Sequence, residues 1–378
     1  MRDRYVPGVH AARALAVTLV LAAHIIGIWG NLQGARWFLW QAWLVGVVDV
    51  LRFDDQAGGH FGLLIFFLLS GYIVSQAAED DGVTAFVVKR AARLIPAMAI
   101  AVGFTMLVAS IGRARGWTPV SEFNADRAFS GWTVLEAFGL GPTFGGLAAL
   151  GVLWSLSVEY YWYAILAVLI APARRWPAAT TAVMVAIVYW LYQLPAATSD
   201  RTPQIARGHL PYVLIVLMGR WVYLGHRRVT SWLVAAAGGL ATTAVFVAMQ
   251  RTDAELRVLF GTTKPRMLSL AWAVLVFSLL LRFVRSGPWK PVAFIGDISY
   301  GLYLFHIPVM FLVLPIISPG GRLMPVGVVV TVTATVALAW LSLRFVEIPL
   351  RRRARALLGR RSEPVLEDTK SPVAHPAL

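Results

Sequence analysis

The chain has 378 residues, of which 58% are hydrophobic and 14% charged, and its mean hydropathy is +0.68. A soluble domain of that length has no use for so much apolar surface, so a multi-span membrane protein is expected and a soluble globular enzyme is excluded. Cysteine is absent, which removes disulfides, thiolate nucleophiles and cysteine metal sites, and the net charge of +15 is scattered over helix ends, which speaks against nucleic acid as a partner.

Apolar runs close to the ~20 residues that cross a hydrocarbon layer recur along the chain. They predict an all-α, polytopic membrane helix bundle of ten transmembrane helices. Their rough cores are 13–30, 60–78, 94–111, 153–171, 177–193, 209–225, 231–249, 267–284, 293–315 and 324–345. Sheet edges cannot be satisfied in lipid, so a strand architecture is not expected. The first run follows basic residues as a signal peptide would, yet no small-residue cleavage site comes after it, and it reads as an uncleaved span. The Trp-rich stretch 36–51, interrupted by Arg36 and Asp49, reads as an interfacial helix. On this count the N-terminus, every second connection and the C-terminal tail hold most of the 34 Lys and Arg residues, which places both termini in the cytoplasm. Residues 1–355 form one transmembrane domain. Residues 356–378, polar and carrying Pro364, Pro372 and Pro376, read as a disordered cytoplasmic tail.

Ionisable residues inside spans need a partner or a task, because lipid makes them expensive. Arg13 and His24 are eleven residues apart; at about 100° per residue they share one helix face, with roughly 16 Å between them. In KRAAR (89–93), Arg90 and Arg93 stand three apart at a cytoplasmic helix end, a spacing that suits bidentate grip on phosphate. Ser70 falls at mid-depth in FFLLSGY, and Gly71 beside it permits a close helix approach. Depth arithmetic puts Glu159 and His306 near the same level, and Ser299, Tyr303 and His306 follow helical spacing along one face. A neutral His24 imidazole with a carboxylate such as Glu159 to orient it suits removal of a proton from an alcohol. The same His24, Glu159 and His306 would also serve as the relay of a proton-coupled exporter. No metal site is expected.

Five segments in order carry a resemblance. They are VPGVHAARALAVTLVLAAH (6–24), GHFGLLIFFLLSGYIVS (59–75), FVVKRAARLIP (86–96), LWSLSVEYYWY (153–163) and IGDISYGLYLFHIPV (295–309), with FVEIP (345–349) after them. Together they resemble the integral-membrane acyltransferase-3 family, which includes bacterial O-antigen and exopolysaccharide O-acetylases, and the likeness spans most of the chain. The resemblance implies transfer of an acyl group, commonly acetyl from acetyl-CoA, to a hydroxyl. It casts His24 as general base with Glu159 and His306 in the catalytic site, and Arg13, Arg90 and Arg93 as residues holding the phosphates of acyl-CoA. One position departs from the family's usual pair of glutamates, since Tyr160 follows Glu159. A multi-pass protein of the inner (plasma) membrane is implied, acting on a carbohydrate-type acceptor such as a surface polysaccharide, a glycolipid or a glycosylated metabolite. The outer connections hold Trp37, Trp40, Trp43, Trp117 and Trp132 among carboxylates, readable as sugar platforms or as an interfacial belt.

Overall fold

A computed structural model describes residues 6–28, 38–51, 58–116, 151–194, 201–252, 263–285, 287, 289–319 and 322–358. The tail beyond 358 and the outer-connection residues Trp37, Trp117 and Trp132 lie outside the described residues. Among the described residues all regular structure is helical. In chain order the helices are α1 (Pro7–Ala22), α2 (Phe38–Trp43), α3 (Gly59–Asp80), α4 (Val83–Ala114), α5 (Trp154–Val168), α6 (Ile170–Arg175) and α7 (Pro177–Gln193). They continue with α8 (Arg201–His226), α9 (Trp232–Thr252), α10 (Thr263–Phe283), α11 (Lys290–Ile317), α12 (Met324–Ser342) and α13 (Ile348–Leu357). Wider π-turns extend α1 over Ala23–Ile28, α2 over Leu44–Asp49 and α12 over Leu343–Glu347.

Local sequence explains several boundaries. Proline occupies the first turn of α1, α7, α11, α12 and α13, where its fixed φ suits a helix start and its missing N–H has no intrahelical partner to lose. Gly58, at φ 89°, makes the left-handed corner that leads into α3. The ten predicted cores fall on α1, α3, α4, α5, α7, α8, α9, α10, α11 and α12. Among the described residues, six segments are both long and apolar enough to cross a membrane: Pro7–Gly27, Gly59–Asp80, Val83–Ala114, Trp232–Gln250, Lys290–Ile317 and Met324–Leu357. The α2 segment, with its π-turn, reaches only about 18 Å at 1.5 Å per residue, short of a hydrocarbon layer about 30 Å thick.

The helix around which the others pack is α3, buried along most of its length. It lies against α1 on one side and α8 on the other, while α11 packs on α1 and α12. Apolar side chains form two clusters. One gathers α3, α5, α7, α8 and α10; the other gathers the end of α1 with α4, α11 and α12. Two glycines set the α3–α8 distance. A Cβ on Gly71 would stand 1.8 Å from the Val216 carbonyl oxygen, and one on Gly219 would stand 2.0 Å from that of Leu68. Each helix thus offers its glycine to the other's backbone, the small-residue packing that membrane bundles rely on where lipid supplies no hydrophobic drive.

Gly71→Ala must therefore push α8 away, with an expected loss of about 1–3 kcal/mol, the usual range for overpacking. Gly103 on α4 has no atom within 4 Å of its would-be Cβ. Gly103→Ala should leave the protein as stable or more so, since alanine is the better helix former by about 1 kcal/mol. Thermal unfolding of the detergent-solubilised variants, measured side by side, checks both.

Candidate functional site

Five helices, α1, α3, α4, α5 and α11, enclose a cavity with about 710 Å³ of empty space, mouth included. Helical periodicity selects what faces it. On α5, Ser155, Glu159 and Tyr163 recur every four residues and form one stripe down the wall. On α11, Ser299 and Tyr303 do the same, with Tyr300 beside them. Arg13 enters from α1, Ser70 from α3 and Arg93 from α4, while Phe66, Phe67 and Leu63 make the apolar side. Polar and apolar walls in one enclosed space are the composition of a small-molecule site.

The cationic end is concentrated. The charged neighbours of Arg13 are Arg93, Arg351, Asp297 and Arg90. The carboxylates nearby are engaged elsewhere: Glu347 pairs with Arg351, Asp297 stands 3.2 Å from His10, and Glu159 accepts a 2.7 Å hydrogen bond from the Tyr163 hydroxyl. None of the ion pairs seen among the described residues includes Arg13 or Arg93. Tyr300 donates to the Leu94 carbonyl at 2.9 Å, tying α11 to α4 across the same end. The Ser70 hydroxyl is buried in the cavity wall with no hydrogen-bond partner among the described residues. Two guanidinium groups without carboxylates and a lone hydroxyl give the cavity unused donors, suited to an anionic, oxygen-rich ligand.

Beyond Tyr303 stands a histidine pair. His24 Nδ1 lies 2.7 Å from His306 Nε2, the rings are stacked with centroids 5.0 Å apart, and His306 Nδ1 lies 3.1 Å from the Leu302 carbonyl. That carbonyl only accepts, so His306 Nδ1 carries a proton and, in the neutral ring, Nε2 holds a lone pair. His24 Nδ1–H must then be the donor to it. The remaining lone pair of the couple sits on His24 Nε2, the position a general base requires. His24 also lies in the π-turn that ends α1, a distortion common at functional sites. Tyr303 connects this pair to the cavity: its ring is 5.9 Å from that of His306, and its hydroxyl lies 2.8 Å from Ser155 Oγ and donates to the Val152 carbonyl at 3.0 Å.

The residues anticipated from sequence divide into three places. Arg13, Arg93 and Glu159 share the cavity with Ser70, Ser299 and Tyr303. His24 and His306 pair with each other outside its lining, and Glu159 orients Tyr163 rather than His24. Arg90 lines a different groove, between α4 and α5. Tyr160, the departure from the glutamate pair, turns its hydroxyl to Met98 Sδ at 3.7 Å, away from the cavity. Tyr163, Tyr300 and the Arg351–Glu347 pair were not anticipated. Arg351 reads in sequence as part of a basic topology signal, although its i,i+4 spacing from Glu347 is visible there.

The family model described as an acyltransferase domain matches residues 6–344. Among similar proteins, YrhL of Bacillus subtilis, provisionally named a peptidoglycan O-acetyltransferase, is 26% identical over 95% of this chain and 57% of its own length. Nodulation protein 10 of Rhizobium leguminosarum is 26% identical over 79% of this chain and 84% of its own length. The peptidoglycan O-acetyltransferase OatA of Listeria monocytogenes is 22% identical over 92% of this chain. The chain spans little more than half the length of YrhL and of OatA. No solved structure matches it closely enough to count. A match over nearly the whole helical bundle, including every residue of the cavity and the histidine pair, makes this chain a member of the acyltransferase-3 family.

Proposed function

We propose that this protein is a membrane O-acyltransferase that moves an acyl group, acetyl in the first instance, from cytosolic acyl-CoA to a hydroxyl of a carbohydrate-type acceptor. The observation that carries the reading is the juxtaposition of an arginine-walled cavity with a histidine pair whose free lone pair is on His24. Two relatives named for peptidoglycan O-acetylation support the acetyl group and the polysaccharide class. The positive-inside pattern supports a cytoplasmic mouth near Arg13 and Arg93 in the plasma membrane.

On this reading Arg13 and Arg93 hold the phosphates of acyl-CoA, whose charge they can match because neither is in an ion pair among the described residues. The thioester end lies past Tyr303. His24 Nε2 accepts the proton of the acceptor hydroxyl as its oxygen forms a bond to the acyl carbon; the C–S bond breaks, and the proton held on His24 goes to the departing thiolate. His306 keeps His24 in the productive tautomer and takes up part of the positive charge through the Nδ1 bond.

Membranes containing the protein, incubated with radiolabelled acetyl-CoA and fractionated into lipid, polysaccharide and small molecules, should show label in the polysaccharide or glycoconjugate fraction. His24→Ala should lower it by about 10²–10⁴-fold, the range for loss of a general base, with the protein still folded. Residual activity above about a tenth would remove His24 from that role. His306→Ala should reduce kcat with KM for acetyl-CoA unchanged, because it loses the tautomer lock and not a donor contact. Arg93→Gln should do the reverse, raising KM for acetyl-CoA about tenfold, the equivalent of one charge-assisted contact near 1.4 kcal/mol.

A further inference from the structure

Arg90 is left over from the cavity. It belongs to a second recess of about 590 Å³, open side included, that runs between α4 and α5. Apart from Arg90 the recess is lined by apolar and small side chains, with Tyr160 and Tyr163 on the α5 side. Its rim residues Val87 and Ile95 are exposed on the outside of the bundle, as is Ala164, so the recess opens laterally. Ala91, Ala164 and Ala167 leave it wide where larger residues would close it. At its floor, Arg90 Nε and one of its terminal nitrogens are buried with no hydrogen-bond partner among the described residues, and the guanidinium lies 5.9 Å from the Phe86 ring.

A buried guanidinium with idle donors is costly unless an anion completes it. The opposing charges around it are Glu159 and Asp81. Asp81 already binds Lys89 at 2.5 Å, and Glu159 binds Tyr163, so each has its own partner. Depth decides what kind of anion fits. The apolar run of α4 begins at Leu94, four residues or about 6 Å beyond Arg90, which puts Arg90 at headgroup level and Leu94, Ile95 and Tyr160 at acyl-chain level. The recess is thus cationic at the interface and apolar below it, the shape of one phospholipid.

We propose that this groove is a specific phospholipid site, with the lipid phosphate on Arg90 and one acyl chain passing Ala91 and Ala164 toward Ile95 and Tyr160. Leu94 and Tyr163 are shared by the groove and the central cavity. The bound chain therefore lies against the back of the Tyr163 ring whose hydroxyl orients Glu159, coupling the composition of the surrounding leaflet to the cavity wall.

The test uses the full chain in nanodiscs, with neither donor nor acceptor, so its result is independent of whether acetyl transfer occurs. The probes are phosphatidylglycerol carrying a photoreactive diazirine on one acyl chain and the matched diacylglycerol, which lacks the phosphate. Phosphatidylglycerol should label peptides covering residues 91–95 and 160–167 about tenfold more than diacylglycerol does, the worth of one charge-assisted contact. Arg90→Gln should erase that preference, and Ala164→Trp, an outward-facing change that fills the groove, should suppress labelling by both probes. Equal labelling by the two probes, or labelling indifferent to Arg90→Gln and Ala164→Trp, would show ordinary lipid contact and overturn the site. Loss of phosphatidylglycerol labelling on adding saturating CoA would overturn it too, by assigning Arg90 to the donor.

Discussion

Like charges brought together inside an apolar bundle are the constraint on which the rest of this structure turns. Arg13, Arg93 and Arg351 come from three helices far apart in sequence and converge at one end of the cavity. Such a cluster persists only where each charge is offset and each donor has an acceptor within reach. The compensation is distributed: Glu347 holds Arg351 across one helical turn, and Asp297 stands near Arg13 while facing His10. The π-turn at Leu343–Glu347 belongs to the same arrangement, since it is the segment that delivers the buried Glu347. Arg13 and Arg93 line the cavity and belong to none of the ion pairs seen among the described residues.

The cavity lies on the other flank of the central helix from its closest contact. Gly71 and Gly219 let α3 and α8 approach to backbone contact, while Leu63, Phe66, Ser70 and Ile73 of α3 line the cavity shared with α5 and α11. Its walls are cross-tied by hydroxyls, Tyr300 to Leu94 and Tyr303 to Ser155 and Val152, while Tyr163 bonds Glu159 within α5. Each tie satisfies a polar tip while leaving the ring to fill apolar space.

Much of this could be read from sequence, and the reasons differ by feature. Helix positions follow from apolar run length, which the hydrocarbon thickness fixes, so the predicted cores coincide with helices. The shared face of Ser299, Tyr303 and His306, and the proximity of Arg13 to Arg93, follow from helical spacing and depth. Rotation about each helix axis does not. Depth arithmetic brought Glu159 and His306 to one level and suggested Glu159 as the partner of His24. The structure turns Glu159 to Tyr163 and gives His24 to His306. The π-turn at Ala23–Ile28 adds a further rotation, because it changes the residues per turn just where His24 sits. Arg90 and Arg93 illustrate the same limit. Three residues apart, they are near neighbours on one helix, yet one points into the cavity and the other to the lateral groove, since Tyr163 and Leu94 stand between.

The division between cavity and histidine pair has a further consequence for chemistry. On the proposed reading the base must cycle between neutral and protonated forms without disturbing the wall that holds the donor. Tyr303 meets both requirements because its hydroxyl is anchored to Ser155 in the first turn of α5 and to Val152 in the short turn before it, and not to either imidazole. His306 in turn is fixed by its own helix, through the Leu302 carbonyl. A proton arriving at His24 Nε2 therefore changes charge in the Nδ1–Nε2 link and leaves the Tyr303 hydrogen bonds intact. Under the proposed function, separate anchoring lets the site be rigid where it binds and polarisable where it transfers a proton, a separation that a single His–Glu couple inside the cavity does not provide.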